Sequence, residues 1–143
     1  MHLLVDGYTS DNDLLKDANE ISALLNIIPS QIEMTKISEP VVTKYVDGST
    51  PTDWGLSGFV LIAESHISIH TFPERNYVNV DVFSCKEFDY IRSAEKIAEV
   101  FGLFEYCLTL IHRGIEYLNQ PAGNTPIEIK KVYPSGRGGT GER

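Results

Sequence analysis

The chain has 143 residues, a size at which one hydrophobic core forms without dividing into two full domains. Apolar residues make up 42% and charged residues 22%, which excludes a disordered chain and a coiled coil. With 12 basic against 20 acidic residues the formal charge is -8, which excludes a nucleic-acid partner, since phosphate neutralisation needs Lys and Arg in excess, and suits a cationic small molecule.

In chain order, His2 to Tyr8 is a short apolar run broken by Asp6-Gly7 and predicts a strand ending in a turn. Ser10 stands three residues before Asp13, a variant of the capping box. Leu14, Leu15, Ala18, Ile21, Leu24, Leu25 and Ile28 then recur at helical spacing, which predicts one amphipathic helix running to Pro29. Residues 31–46 are rich in β-branched types and interrupted by Pro40, hence one or two strands with a bend. Asp47 to Gly55 carries Gly and Pro punctuation and reads as a mobile loop. Ser57–Ala63 and Ile67–His70 read as strands, and Tyr77–Phe83 sets Val78, Val80 and Val82 on one face. A second helix is predicted from about Glu87 to Phe101, with Ile91, Ala94, Ile97, Ala98 and Phe101 inward and Gly102 as its stop. Cys107–His112 is the last strand.

From Pro121 onward the chain is Gly, Pro and polar, so residues 1–120 are expected as the domain and 121–143 as a flexible tail. The order of elements suggests the α/β (α+β) class. It fits a two-layer sandwich in two similar halves, a mostly antiparallel sheet covered on one face by two helices. The other face then needs a cover, from which a homodimer is expected.

The two cysteines, Cys85 and Cys107, form no CxxC pair, which excludes a disulfide framework and a multi-cysteine zinc module and indicates a reducing compartment. The N-terminus lacks a signal-like pattern and no run of eighteen apolar residues occurs, so a cytoplasmic chain with no membrane partner is expected.

The segment from Leu56 to Glu74, followed by Asp81 to Cys85, crowds Glu64, Ser65, His66, His70, Glu74 and Cys85 together. Three chemistries could use such a set. A metal site is suggested by His66 and His70, but on a strand these begin roughly 13 Å apart, so no metal ligands are assigned. A serine hydrolase built on Ser65 lacks the G-x-S-x-G elbow and an assignable acid. Self-processing at Ser65 is the third. A non-enzymatic ferredoxin-like binding module has the same order of strands and helices, because fold does not fix function.

The run Ala63-Glu-Ser-His-Ile-Ser-Ile-His-Thr-Phe-Pro-Glu74, with Ser57-Gly58 ahead and Asp81 to Cys85 behind, closely resembles the prokaryotic S-adenosylmethionine decarboxylase proenzyme family. The resemblance covers roughly residues 1–115. It implies a small-molecule carboxy-lyase of polyamine (spermidine) biosynthesis that cuts itself between Glu64 and Ser65. Ser65 then becomes a covalent pyruvoyl group, whose ketone forms a Schiff base with a substrate amine. By the same resemblance, Ser65 attacks the Glu64 carbonyl, His70 and Ser57 assist processing, Cys85 is the general acid in turnover, and Glu74 contacts the substrate ribose. At Pro51 the family has a phenylalanine that stacks on adenine, and proline offers no π-face. Either Trp54 or Tyr45 supplies the ring, or the substrate is an amino acid such as ornithine or arginine, for which Glu74 would pair with the distal cation.

Overall fold

The computed structural model describes residues 1–46, 54–113 and 127–132. Eight strands, β1 (His2–Thr9), β2 (Thr35–Lys36), β3 (Val41–Val46), β4 (Trp54–Ala63), β5 (Ser65–Phe72), β6 (Tyr77–Ser84), β7 (Leu103–Ile111) and β8 (Ile127–Val132), form one sheet. The order is β2-β4-β5-β6-β1-β7-β8, with β3 sharing the outer edge of β4 with β2. Every pairing is antiparallel. The helices are α1 (Asn12–Lys16), α2 (Ala18–Gln31) and α3 (Tyr90–Phe101). α2 lies over β3 and β4, and α3 over β1 and β7, so among the described residues the sheet is covered on one face only. This is the α+β sandwich expected from the sequence.

Strand alternation decides which side chains that cover meets. Val78, Val80 and Val82 of β6, Ile67 and Ile69 of β5 and Leu3 and Val5 of β1 are all fully buried beneath the helices. From α2 come Ile21, Leu25 and Ile28, and from α3 Ala94, Ile97, Ala98 and Phe101, matching the predicted inward positions. Ala18, predicted inward, is exposed. Gly102 stops α3 with φ of 60°, a left-handed conformation that glycine adopts without steric cost.

Three expectations are corrected. The single helix from Ser10 to Pro29 is two helices. Asp11, not Ser10, caps α1 through Leu14 N (3.2 Å), and Asp17 interrupts the chain to cap α2 through Asn19 N (2.9 Å) and Glu20 N (3.2 Å). Aspartate favours this because its side chain competes for backbone donors within a helix and satisfies them at its start. Pro29 does not end α2. It lies buried inside the last turn, where it removes one helical hydrogen bond. In the same way Asp89 caps α3 through Arg92 N (3.0 Å), so that helix starts at Tyr90 rather than Glu87.

The second correction concerns the loop expected over 47–55. Residues 47–53 lie outside the described residues, whereas Trp54 and Gly55 already belong to β4, paired with Val46 and Tyr45. The third is the tail. Within 121–143, residues 127–132 form β8 against β7 through a backbone ladder that composition does not reveal.

Candidate active site

β4 and β5 form a hairpin in which Ala63 ends one strand, Ser65 begins the next, and Glu64 is the turn between them. Ser65 has φ of 145°, a region a side chain rarely occupies, so the backbone holds strain at this residue. β6 lies beside β5 with Ser84 opposite Ser65, which brings Cys85 up to the turn. Ser65 Oγ and Cys85 Sγ are 3.4 Å apart, and Cys85 N donates to Glu64 O at 3.3 Å. The carbonyl on which Ser65 would act is therefore already polarised by an N–H. The Glu64 carboxylate pairs with Lys86 Nζ at 3.2 Å.

The turn after β6 is pinned from the side of β1. The Met1 amine donates to Ser84 O at 2.6 Å and Met1 O accepts from Ser84 N at 3.0 Å. Burial lowers the pKa of that amine, and the nearby Cys85 sulfur opposes the shift.

A second polar pair stands further along the same hairpin. Ser57 and His70 are cross-strand partners, with Ser57 Oγ and His70 Nδ1 3.0 Å apart. Tyr45, Trp54 and Phe72 join them around a cavity of about 220 Å³. Here the strands come very close, since a Cβ on Gly55 would lie 1.9 Å from Thr71 O. Thr71 anchors the floor, its hydroxyl accepting from Leu56 N and donating to Leu15 O, both at 2.9 Å. A groove of about 500 Å³ adjoins this pair, lined by Val41, Phe59, Leu61 and His66.

The expected residues thus fall into two groups. Glu64, Ser65 and Cys85 come together, and so do Ser57, His70, Tyr45 and Trp54. They are not joined within one chain. Five residues of extended strand separate Ser65 from His70, about 16 Å at 3.3 Å per residue, so His70 does not reach the Ser65 of its own chain. His66 and His70 also part company, His66 packing edge-on against Phe83 at 5.8 Å while His70 takes Ser57.

Glu74 lies on the 3₁₀ turn Pro73–Arg75 that follows β5, and its Oε1 accepts from Trp54 Nε1 at 3.1 Å. Lys44 Nζ stands 4.7 Å from the centre of the Trp54 ring. Tyr45, in contrast, is 57% exposed. Cys107, on β7, is only partly buried.

The family model described as S-adenosylmethionine decarboxylase matches residues 1–114. The chain belongs to that family. It is 42% identical over 78 residues to the S-adenosylmethionine decarboxylase proenzyme of Geobacillus kaustophilus (strain HTA426), a match covering 54% of this chain and 56% of that protein. Against the proenzyme of Archaeoglobus fulgidus, identity is 31% over 114 residues, covering 79% of this chain and 96% of that one. The crystal structure of the adenosylmethionine decarboxylase from Aquifex aeolicus VF5 has the same fold, with a TM-score of 0.57 at 24% identity, covering 99% of this chain and 95% of that chain. The match to the Geobacillus protein spans little more than half of that protein's length.

Within this family frame, two features of the site escaped the sequence reading. Lys86 follows Cys85 directly, so a cation beside the key thiol was visible, but its target, the Glu64 side chain, is twenty-two residues away and is reached only through the β5–β6 register. The Cys85 N–H is a backbone group and leaves no mark in sequence.

Proposed function

We propose that this chain is a self-processing, pyruvoyl-dependent decarboxylase of S-adenosylmethionine that works as a homodimer in the cytoplasm. The observation that carries the reading is the arrangement at Glu64-Ser65, where a strained serine, a polarised carbonyl and a thiol meet at one turn.

In processing, Ser65 Oγ attacks the Glu64 carbonyl carbon, and the oxygen that gains charge is held by Cys85 N–H. The Glu64–Ser65 C–N bond breaks, the amine takes the hydroxyl proton, and an ester joins Glu64 to Ser65 Oγ. Loss of the Ser65 Cα proton to a base then forms a Cα–Cβ double bond and expels Glu64 as a carboxylate. Tautomerisation, addition of water and release of ammonia leave the pyruvoyl group at position 65. That group fits here, because residue 65 stands at the turn between β4 and β5 with a thiol within reach of its side chain. It supplies an electrophilic ketone that accepts the electrons released as carbon dioxide departs. Cys85 delivers the proton that replaces the carboxylate on the substrate carbon. Glu74, held by Trp54, and Tyr45 bind the substrate.

Support for the homodimer comes from the separation of the two polar pairs and from the uncovered face itself, where Val41, Tyr45, Phe59 and Leu61 are all exposed. A two-fold contact exchanges ends. It would lay the Ser57–His70 pair of one copy over Ser65 of the other, with His70 as the base for the Cα proton. A free thiol at Cys85 suits a reducing cytoplasm. Among the described residues no helix is long and apolar enough to cross a membrane.

Denaturing mass spectrometry should find fragments 1–64 and 65–143, the second with a blocked terminus, and the cleaved protein should release carbon dioxide from S-adenosylmethionine. Release from ornithine or arginine in its place would reject the substrate, and a persistently intact chain would reject the mechanism. Mixing tests the dimer: Ser65→Ala and His70→Ala chains are each inert alone, and co-expressed they should cleave the His70→Ala chain. No cleavage in the mixture would overturn the shared site.

A further inference from the structure

We propose that Trp54 is a positioning residue that acts on the substrate through Glu74, and is not itself the stacking ring. The inference rests on the decarboxylase reading above and says how its substrate cavity is organised.

Three observations carry it. The indole N–H, the only hydrogen-bond donor on that side chain, is committed to Glu74 Oε1 at 3.1 Å. The ring face is already engaged by the Lys44 ammonium, 4.7 Å from its centre. And the strand register roots the two rings on opposite faces of the β3–β4 pair, although both border the cavity. Trp54 pairs with Val46, on the same side of β3 as Lys44, whereas Tyr45 pairs with Gly55 and alternates to the side of Ser57 and His70. Tyr45, 57% exposed, is therefore the ring offered to a ligand in this cavity.

The consequences follow from the chemistry of a carboxylate. Glu74 lies on a short turn and is exposed, so without an anchor it samples several rotamers. Donation from Trp54 fixes one oxygen and leaves the other to accept from a ligand hydroxyl or ammonium. Lys44 over the ring draws electron density from the indole and strengthens its N–H as a donor, so cation, ring and carboxylate act in series. Binding is then paid for in advance, which lowers KM and leaves the chemical step at Ser65 and Cys85 untouched.

The test is a cycle on self-cleaved protein with S-adenosylmethionine as substrate, using Trp54→Phe, Glu74→Ala and the double variant. Trp54→Phe keeps a ring for Lys44 and deletes only the N–H. Its KM should rise about 5- to 10-fold with kcat within about two-fold of the parent, and in the Glu74→Ala background the same change should add nothing. An equal rise in both backgrounds would mean that Trp54 touches the substrate directly, and no rise in either would make the contact incidental. Either result overturns the proposal. Because Trp54 is the single tryptophan of the chain, its fluorescence reports the contact independently of activity. Glu74→Ala should shift its emission and increase quenching by acrylamide, and an unchanged emission would also overturn the proposal. A wild-type protein that is inactive on S-adenosylmethionine while its emission depends on Glu74 would reject the decarboxylase reading and leave the Trp54–Glu74 link standing.

Discussion

The two faces of the sheet use the same strands for opposite ends. Beneath the helices, β5 and β6 present Ile67, Ile69, Val78, Val80 and Val82, all fully buried, and any well-packed apolar set of equal volume would serve there. On the bare face the intervening positions are His66, Ser68, His70, Asn79, Asp81 and Phe83, residues that a packing rule would not choose. Adjacent residues of one strand thus answer to different demands. Stability is concentrated on one side and the Ser57–His70 pair lies on the other, so mutations one position apart should separate the two.

The largest effect expected is at Cys85. Cys85→Ala removes the thiol and keeps the backbone N–H on Glu64 O, so the chain should still cut itself, while decarboxylation should fall about 10²- to 10⁴-fold, the usual worth of a general acid. Fragment masses and carbon dioxide release, measured on the same sample, check both halves of the claim. Full turnover would require another acid.

The next contrast uses neighbours on β5. Ile69→Ala opens a cavity under the helices and should cost about 2 to 5 kcal/mol of unfolding free energy, read from urea denaturation. His70→Ala, on the exposed side, should cost under about 1 kcal/mol and yet stop or slow self-cleavage. A His70 variant as unstable as the Ile69 variant would erase the distinction between the faces.

How much of this was legible in the sequence follows from the same division. Period-two alternation identified the buried valines of β6, and helical spacing found the inward face of α3, because burial selects residue type directly. The resemblance named Ser65, Ser57, His70 and Cys85 as candidates. What it could not give is distance: Ser57 meets His70, and Ser65 meets Cys85, only through the antiparallel registers of β4 with β5 and β5 with β6. The helix break at Asp17 was missed because apolar spacing continues across it, and β8 was missed because edge pairing is a property of backbone groups.

Lys86 gives a smaller test on the bare face. Its pair with Glu64 is largely exposed, 62% and 40% for the two side chains, and such pairs contribute about 0.2 to 1 kcal/mol. If that energy helps hold the Glu64 carbonyl for attack, Lys86→Met should slow cleavage by about 2- to 5-fold, followed by the appearance of fragment 65–143 on a denaturing gel. Raised salt should slow the wild-type chain by a similar amount and the variant less, because salt screens the pair that the variant lacks.

The smallest expected effect lies on the central strand of the bare face, where Asp6 accepts from Asn79 Nδ2 at 2.5 Å. Burial raises its pKa, the Asn79 bond opposes the shift, and Asp81 adds to it. The folded state therefore holds the proton more tightly than the unfolded chain. The stability contributed by protonated Asp6 is fully present below the unfolded carboxyl pKa and is lost as pH rises through the raised folded value. At neutral pH the ionised carboxylate is thus a liability on this face, softened by its partial exposure. Asp6→Asn keeps an oxygen for Asn79 and removes the charge, so it should stabilise the chain by under about 1 kcal/mol at neutral pH. That gain should shrink as pH falls through the raised pKa, measured as the difference in Tm between the two proteins across the acid range. A difference independent of pH would mean that the substitution acts through packing rather than charge, and would place Asp6 with the residues of the covered face.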